Sequence, residues 1–243
     1  MKLTPICSGM PRSASRMTWQ IVAKLTPMKS RPPKWVSNNE KVNVDCGVMW
    51  PFRTHKYIDD LHIPAIYTFR HPIEAWLSFR SRFEQDKELA LAEADAFMQI
   101  GASWEVGQRY ERDIAKGRDV LFLRYEDFYN DRRKRIRVIA EFMGLDIDEE
   151  RVEEIFEDTS LEKNIDRGRA IFKAFPELKF GDGASTMPEL GGMQRLHVNE
   201  KTMGVPGVWL EGYPEFVKLI RNPGPGTAFE ALRDMCFSLG YEV

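Results

Sequence analysis

Near its start the chain passes from strand to loop to helix within a few residues, and this switch limits the fold more than any other stretch. Lys2 to Ser8 reads as a strand, which Gly9-Met10-Pro11 breaks. From Ser13 to about Leu25 the pattern is helical, with Trp19, Val22 and Ala23 near one face. The intervening run Ser8-Gly9-Met10-Pro11-Arg12-Ser13-Ala14-Ser15-Arg16 is built of small and basic residues. Such a turn leaves backbone N–H groups facing outward at the positive end of a helix, and Arg12 and Arg16 add charge. Ser13 and Ser15 add hydroxyl donors. The stretch therefore reads either as an anion cradle or as an ordinary strand-to-helix turn with Ser13 as N-cap. A P-loop that grips a nucleoside triphosphate ends in Gly-Lys followed by Ser or Thr. Here Ala14, Ser15 and Arg16 stand at those positions. The missing lysine counts against an ATP- or GTP-driven kinase, which is the alternative enzyme reading.

The rest of the chain repeats the alternation. Val42 to Met49, Ile63 to Phe69 and Asp119 to Tyr125 read as strands. Helices are expected from Ile73 to Arg82, from about Lys87 to Lys116, from Arg132 to Met143, and around Val152, Ile155 and Phe156. Ile136, Ile139, Ala140 and Met143 keep one helical face, and Gly144 stops that helix. From about Asp166 to Gly207 glycine, proline and polar residues predict long loops. A last helix carries Phe229, Leu232, Met235, Cys236 and Leu239 on one stripe. Alternating strands and helices predict an α/β fold with a parallel sheet covered on both faces. Ligands of such sheets sit at the carboxyl ends of the strands.

Composition narrows the chemistry. With 243 residues, 43% of them hydrophobic, the chain can form one sizeable core, read as a single domain over 1–243. The formal net charge of -2 excludes a broadly basic nucleic-acid binder, so any bound anion must be held by a local cluster. Cys7, Cys46 and Cys236 follow no metal spacing and are read as buried hydrophobes in a reducing compartment. No apolar run reaches the length of a membrane span, and no signal peptide is legible, so a soluble, cytoplasmic protein is expected.

Two further clusters fall at strand ends. Arg70 follows the strand ending at Phe69, and Ser78 lies two turns into the next helix. Arg70 can fork onto a phosphate with Ser78 adding a hydroxyl, or it can pair with Glu74. His55 follows Arg53 and Thr54, where a general base belongs, although a lone histidine is also commonly structural. Arg132-Arg133-Lys134-Arg135 with Arg137 is read as a solvated helix face, Trp50-Pro51-Phe52 and Trp104 as core or acceptor pocket, and Glu126 and Asp127 as capping and pairing groups.

Taken in order, Pro11-Arg12-Ser13-Ala14-Ser15, Thr54-His55, Arg70-His71-Pro72 with Ser78, Tyr125-Glu126-Asp127 and Gly204-Val205-Pro206-Gly207-Val208-Trp209 resemble the sulfotransferases that use 3′-phosphoadenosine 5′-phosphosulfate (PAPS). The resemblance runs over residues 4 to 209. It implies a P-loop NTPase-like fold with a central parallel sheet of about five strands flanked by helices. It also implies that Arg12, Ser13, Ala14, Ser15 and Arg16 hold the 5′-phosphosulfate, and that Arg70 and Ser78 hold the 3′-phosphate. Tyr125 would lie by the adenine. His55 would be the base that takes the acceptor's proton, with Arg12 stabilising the leaving group and no metal required. The acceptor would be a small-molecule, carbohydrate or lipid hydroxyl, bound near the loops of about 166–207. The chain departs from the family's pattern at Ala14 and Arg16, where glycine and threonine are usual, and at Thr202 and Met203, where a basic pair is usual. Lys201 is the nearest substitute for that pair, with Arg195 or His197 as others. These departures keep open a catalytically silent nucleotide-binding scaffold.

Overall fold

The computed structural model describes residues 4–10, 13–26, 52–80, 89–160, 162–164, 166, 170 and 205–243. Four strands form one sheet in the order β2-β1-β3-β4: β1 (Ile6–Gly9), β2 (Phe52–Arg53), β3 (Ala65–Phe69) and β4 (Val120–Arg124). All pairs are parallel, with Cys7 opposite Arg53 and Ile66, and Ile66 opposite Leu121. About five strands were expected. Four lie among the described residues, and the expected strand at Val42 to Met49 lies outside them.

Every residue of β1 is buried, as a strand covered on both faces must be. On one face Cys7, Ile66 and Leu123 meet α1 (Ser15–Leu25), α5 (Arg132–Phe142) and α6 (Glu149–Asp158), through Trp19, Val22, Ile136, Ile139 and Ile155. On the other, Ala65 and Tyr67 pack on Tyr110 of α3 (Leu89–Ile114). Gly107 permits that approach, because a Cβ there would lie 2.9 Å from the Tyr67 ring. The short helix α4 (Tyr125–Tyr129) follows β4 directly.

A second cluster gathers Ile73, Trp76 and Leu77 of α2 (Pro72–Arg80) with α8 (Pro214–Arg221) and α9 (Ala228–Ser238), and the short α7 (Val208–Gly212) precedes them. The stripe expected at the end of the chain is present: Leu232, Met235 and Cys236 are buried. Trp104 packs against this cluster, which favours the core reading of that residue. Cys7 and Cys236 are free and buried, and burial pushes both thiols up to about 12. Asp131 and Asp148 cap α5 and α6 through the N–H groups of Lys134 and Arg151, and α5 ends at Gly144 with φ 69°. Among the described residues no helix is long and apolar enough to cross a membrane.

The tightest seam lies between β1 and β3. A Cβ on Gly9 would sit 2.0 Å from Thr68 Oγ1 and 2.6 Å from the Thr68 carbonyl oxygen. Gly9→Ala is therefore expected to lower the unfolding free energy by about 2–3 kcal/mol, the cost of overpacking a core site. Urea denaturation measures it, and a loss below about 0.5 kcal/mol would contradict the tight seam.

Candidate active site

Because all four strands are parallel, their carboxyl ends lie along one edge of the sheet. That edge collects the loop after Gly9, the segment Arg53-Thr54-His55, the turn Arg70-His71 and the residues Tyr125-Glu126. Two hydrogen bonds tie these segments to the sheet. Met10 donates its N–H to the Thr68 carbonyl at 2.9 Å, and Thr54 donates to the Cys7 carbonyl at 3.0 Å.

Within the loop, Ser13 turns inward. It is fully buried, and its hydroxyl lies 2.6 Å from the Met10 carbonyl, 3.0 Å from the Thr68 carbonyl and 2.8 Å from Thr68 Oγ1. It pins the loop to β3 rather than presenting a hydroxyl outward. The N-cap of α1 is Ala14, one residue later than the sequence suggested. Ala14 has φ 61° and ψ 26°, a left-handed conformation that costs an L-residue about 1–2 kcal/mol. This is where the resemblance expects glycine, and the backbone keeps the glycine geometry without the glycine.

The N-terminus of α1 has no side-chain cap and no acidic residue in its first turn. Cations surround it instead. Burial lowers Arg16 to about 10. Burial, followed by repulsion from Arg16, lowers Arg53 to about 9. Arg135 is lowered to about 10, again first by burial. Its Nη2 donates to the Ala14 carbonyl at 3.4 Å and also to Thr18 Oγ1. Positive charge at the positive end of a helix is unfavourable unless an anion joins it.

His55 sits beside this cluster. Its Nδ1 is 2.6 Å from the Gly9 carbonyl oxygen, which can only accept, so Nδ1 carries the hydrogen. In the neutral ring Nε2 then holds the lone pair, 3.5 Å from Arg53 Nη2. Burial first, then Arg53, lowers the imidazole to about 4, against a smaller upward effect of the Gly9 bond. His55 is thus neutral near pH 7, with Nδ1 donating to Gly9 and the Nε2 lone pair facing Arg53 Nη2.

The second half of the edge is built on the β3–α2 turn. Arg70 is buried and pairs with Glu74, the partner that the sequence offered as the alternative to a phosphate. Its guanidinium also lies 4.7 Å above the Tyr125 ring, and its Nε has no hydrogen-bond partner among the described residues. Ser78, one turn beyond Glu74 on α2, is buried as well. Burial raises the Tyr125 phenol above its ordinary range, and Arg70 first, then Arg132 and Arg135, partly offset it, so Tyr125 senses both halves of the edge. Arg12 and Lys201 lie outside the described residues. Among the described residues no group of His, Cys, Asp and Glu is arranged to hold a metal.

Arg135 escaped the sequence reading, which put the whole basic run on a solvated face. Arg133 and Arg137 do form exposed pairs with Glu153 and Glu149. Arg135 instead points into the core beside Ile136 and Ile139. The signal was present: Arg135 lies four residues before Ile139, on the same stripe as the apolar positions.

A family description named the sulfotransferase domain matches residues 53–173, about half of the chain. Sulfotransferase 1C2 of Oryctolagus cuniculus is 27% identical over 161 residues, covering 65% of this chain and 49% of that protein. Sulfotransferase 1C2 of Rattus norvegicus is 26% identical over the same length. The chain spans about half the length of these curated relatives. The crystal structure of mouse sulfotransferase SULT7A1 complexed with PAP shares the fold, with a TM-score of 0.52 and 15% identity over 96% of this chain and 89% of that one.

Replacing Ala14 with glycine removes the left-handed strain. Ala14→Gly is expected to stabilise the protein by about 1 kcal/mol, read as a higher midpoint in urea. An unchanged or lower midpoint would contradict the strained geometry.

Proposed function

We propose, from the premise that this chain belongs to the sulfotransferase family, that it transfers a sulfuryl group from PAPS to an acceptor hydroxyl. The observation that carries this reading is the set of arginines, Arg16, Arg53 and Arg135, crowded at the uncapped N-terminus of α1 beside a neutral His55. A site with that charge suits the 5′-phosphosulfate of the donor, held by loop amides of Ser13 to Arg16 with Arg12 from the same loop. The second anion falls to Arg70, whose Nε has hydrogen-bonding capacity left among the described residues, with Ser78 one turn beyond its partner Glu74. Tyr125, already under Arg70, offers a ring face to the adenine. Lys201 would close the site from the late loop. PAPS supplies an activated sulfuryl group, and the residues do the rest.

The acceptor oxygen forms a bond to sulfur as the bond from sulfur to the bridging phosphate oxygen breaks. Adenosine 3′,5′-bisphosphate carries away the electron pair. His55 Nε2 takes the acceptor's proton, its ring held by Gly9 in the tautomer that puts the lone pair on this nitrogen, which would exchange its Arg53 contact for the acceptor hydroxyl. Arg12 and the other loop cations offset the charge that grows on the leaving oxygen. No step calls on a metal. The single domain proposed over 1–243 would take a small-molecule, carbohydrate or lipid acceptor near the loops of about 166–207.

Burial and Arg53 hold His55 near 4 in the free enzyme, so the base is fully available at neutral pH and is lost only as pH falls toward that value. The acid limb of kcat/KM should therefore lie well below the ~6.5 of an ordinary histidine. His55→Ala should remove turnover of PAPS with a panel of hydroxyl acceptors by about 100-fold or more while adenosine 3′,5′-bisphosphate still binds by calorimetry. Retained turnover in that variant, or an acid limb near 6.5 in the wild type, would overturn His55 as the base.

A further inference from the structure

Arg70 stands on a two-residue turn between β3 and α2, and that turn does not hold itself. The His71 N–H donates to Glu126 Oε1 at 3.0 Å. The other oxygen of the same carboxylate, Oε2, accepts from the Tyr241 hydroxyl at 2.7 Å. Glu126 directly follows Tyr125, the ring under the Arg70 guanidinium. One carboxylate thus joins the turn that carries Arg70, the residue after Tyr125 and a side chain from beyond α9.

Tyr241 is seated for this. It is buried at 5% exposure, and its N–H donates to the Cys236 carbonyl at 2.9 Å as α9 ends. Its ring packs 4.8 Å from the His71 ring and 6.4 Å from Phe69, with the Arg124 guanidinium 4.0 Å above it. Next to it, the Glu242 carbonyl oxygen lies 3.2 Å from His71 Nε2, which must carry the hydrogen of that bond. Burial and then the Glu126 charge raise the Tyr241 phenol above its ordinary range, so it stays a donor throughout the working pH range. Without the hydroxyl, Glu126 Oε2 would keep, among the described residues, only the longer approach of Arg124 Nε at 3.7 Å. The carboxylate would then be free to turn off the His71 N–H.

We propose that Tyr241 is a positioning residue for the nucleotide: acting through Glu126, it fixes the Arg70 turn and so sets affinity for a 3′-phosphate. The inference rests on the reading of Arg70 as the 3′-phosphate site. A merely structural role would weaken every ligand alike or none, whereas a positioning role affects only ligands that carry the 3′-phosphate.

The experiment compares calorimetric affinities for adenosine 3′,5′-bisphosphate and adenosine 5′-monophosphate in the full chain. Wild type should prefer the bisphosphate by at least about tenfold. Tyr241→Phe, which keeps the ring, should weaken the bisphosphate about tenfold and leave the monophosphate unchanged. Glu126→Gln should show the same selective loss, and serves if the first variant folds poorly. Equal affinities in variants and wild type, or a parallel loss for both ligands, would overturn the role of Tyr241 alone. A wild type that does not distinguish the two nucleotides would overturn the Arg70 reading and the inference with it.

Discussion

The contact of Gly9 with Thr68 is the constraint on which the candidate site depends. With no side chain at position 9, β1 closes on β3, and the Thr68 carbonyl receives both the Met10 N–H and the Ser13 hydroxyl. The loop then has to leave the sheet sharply, and it does so through a left-handed Ala14. The Gly9 carbonyl, left at the end of its strand, is what fixes the His55 ring. Seam, loop and His55 ring are one mechanical unit, and β3 continues from the same seam into the Arg70 turn.

Burial at this unit works against the charged form of its arginines. Arg16, Arg53 and Arg135 are each held below the usual guanidinium range, chiefly by burial, and the helix end they surround repels them further. An anion bound there would offset both effects. Arg70 is balanced by Glu74. On the proposed reading the two halves would divide the work: one would gather arginines beside His55, and the other would supply a fixed guanidinium paired with Glu74 and suited to geometric recognition.

Much of this was legible in the sequence, for reasons that can be named. The loop after Gly9 and Arg70 after Phe69 sit where an apolar strand ends, and in a parallel sheet such ends share an edge; His55 follows the two-residue strand Phe52–Arg53, which the sequence did not offer. The helix from Arg132 was readable from its apolar face, and its stop from the need of Gly144 for positive φ, whereas the caps Asp131 and Asp148 were not singled out. Other features depend on tertiary contacts that no local pattern encodes. The inward turn of the Ser13 hydroxyl requires Thr68 from another strand. The burial of Arg135 was hidden inside a run of charges whose other members do face water. The depressed basicity of His55 comes from burial beside Arg53, and the Tyr241 link joins residues 115 positions apart.

The central claim is that one sheet edge holds the two anionic ends of a single nucleotide. A crystal structure with adenosine 3′,5′-bisphosphate tests it most directly. The account predicts the 5′-phosphate at the amides of Ser13 to Arg16, within hydrogen-bond reach of the α1 N-terminus, and the 3′-phosphate on Arg70 and Ser78. A nucleotide bound with either phosphate away from these residues, or with its 3′-phosphate at the loop, would contradict it.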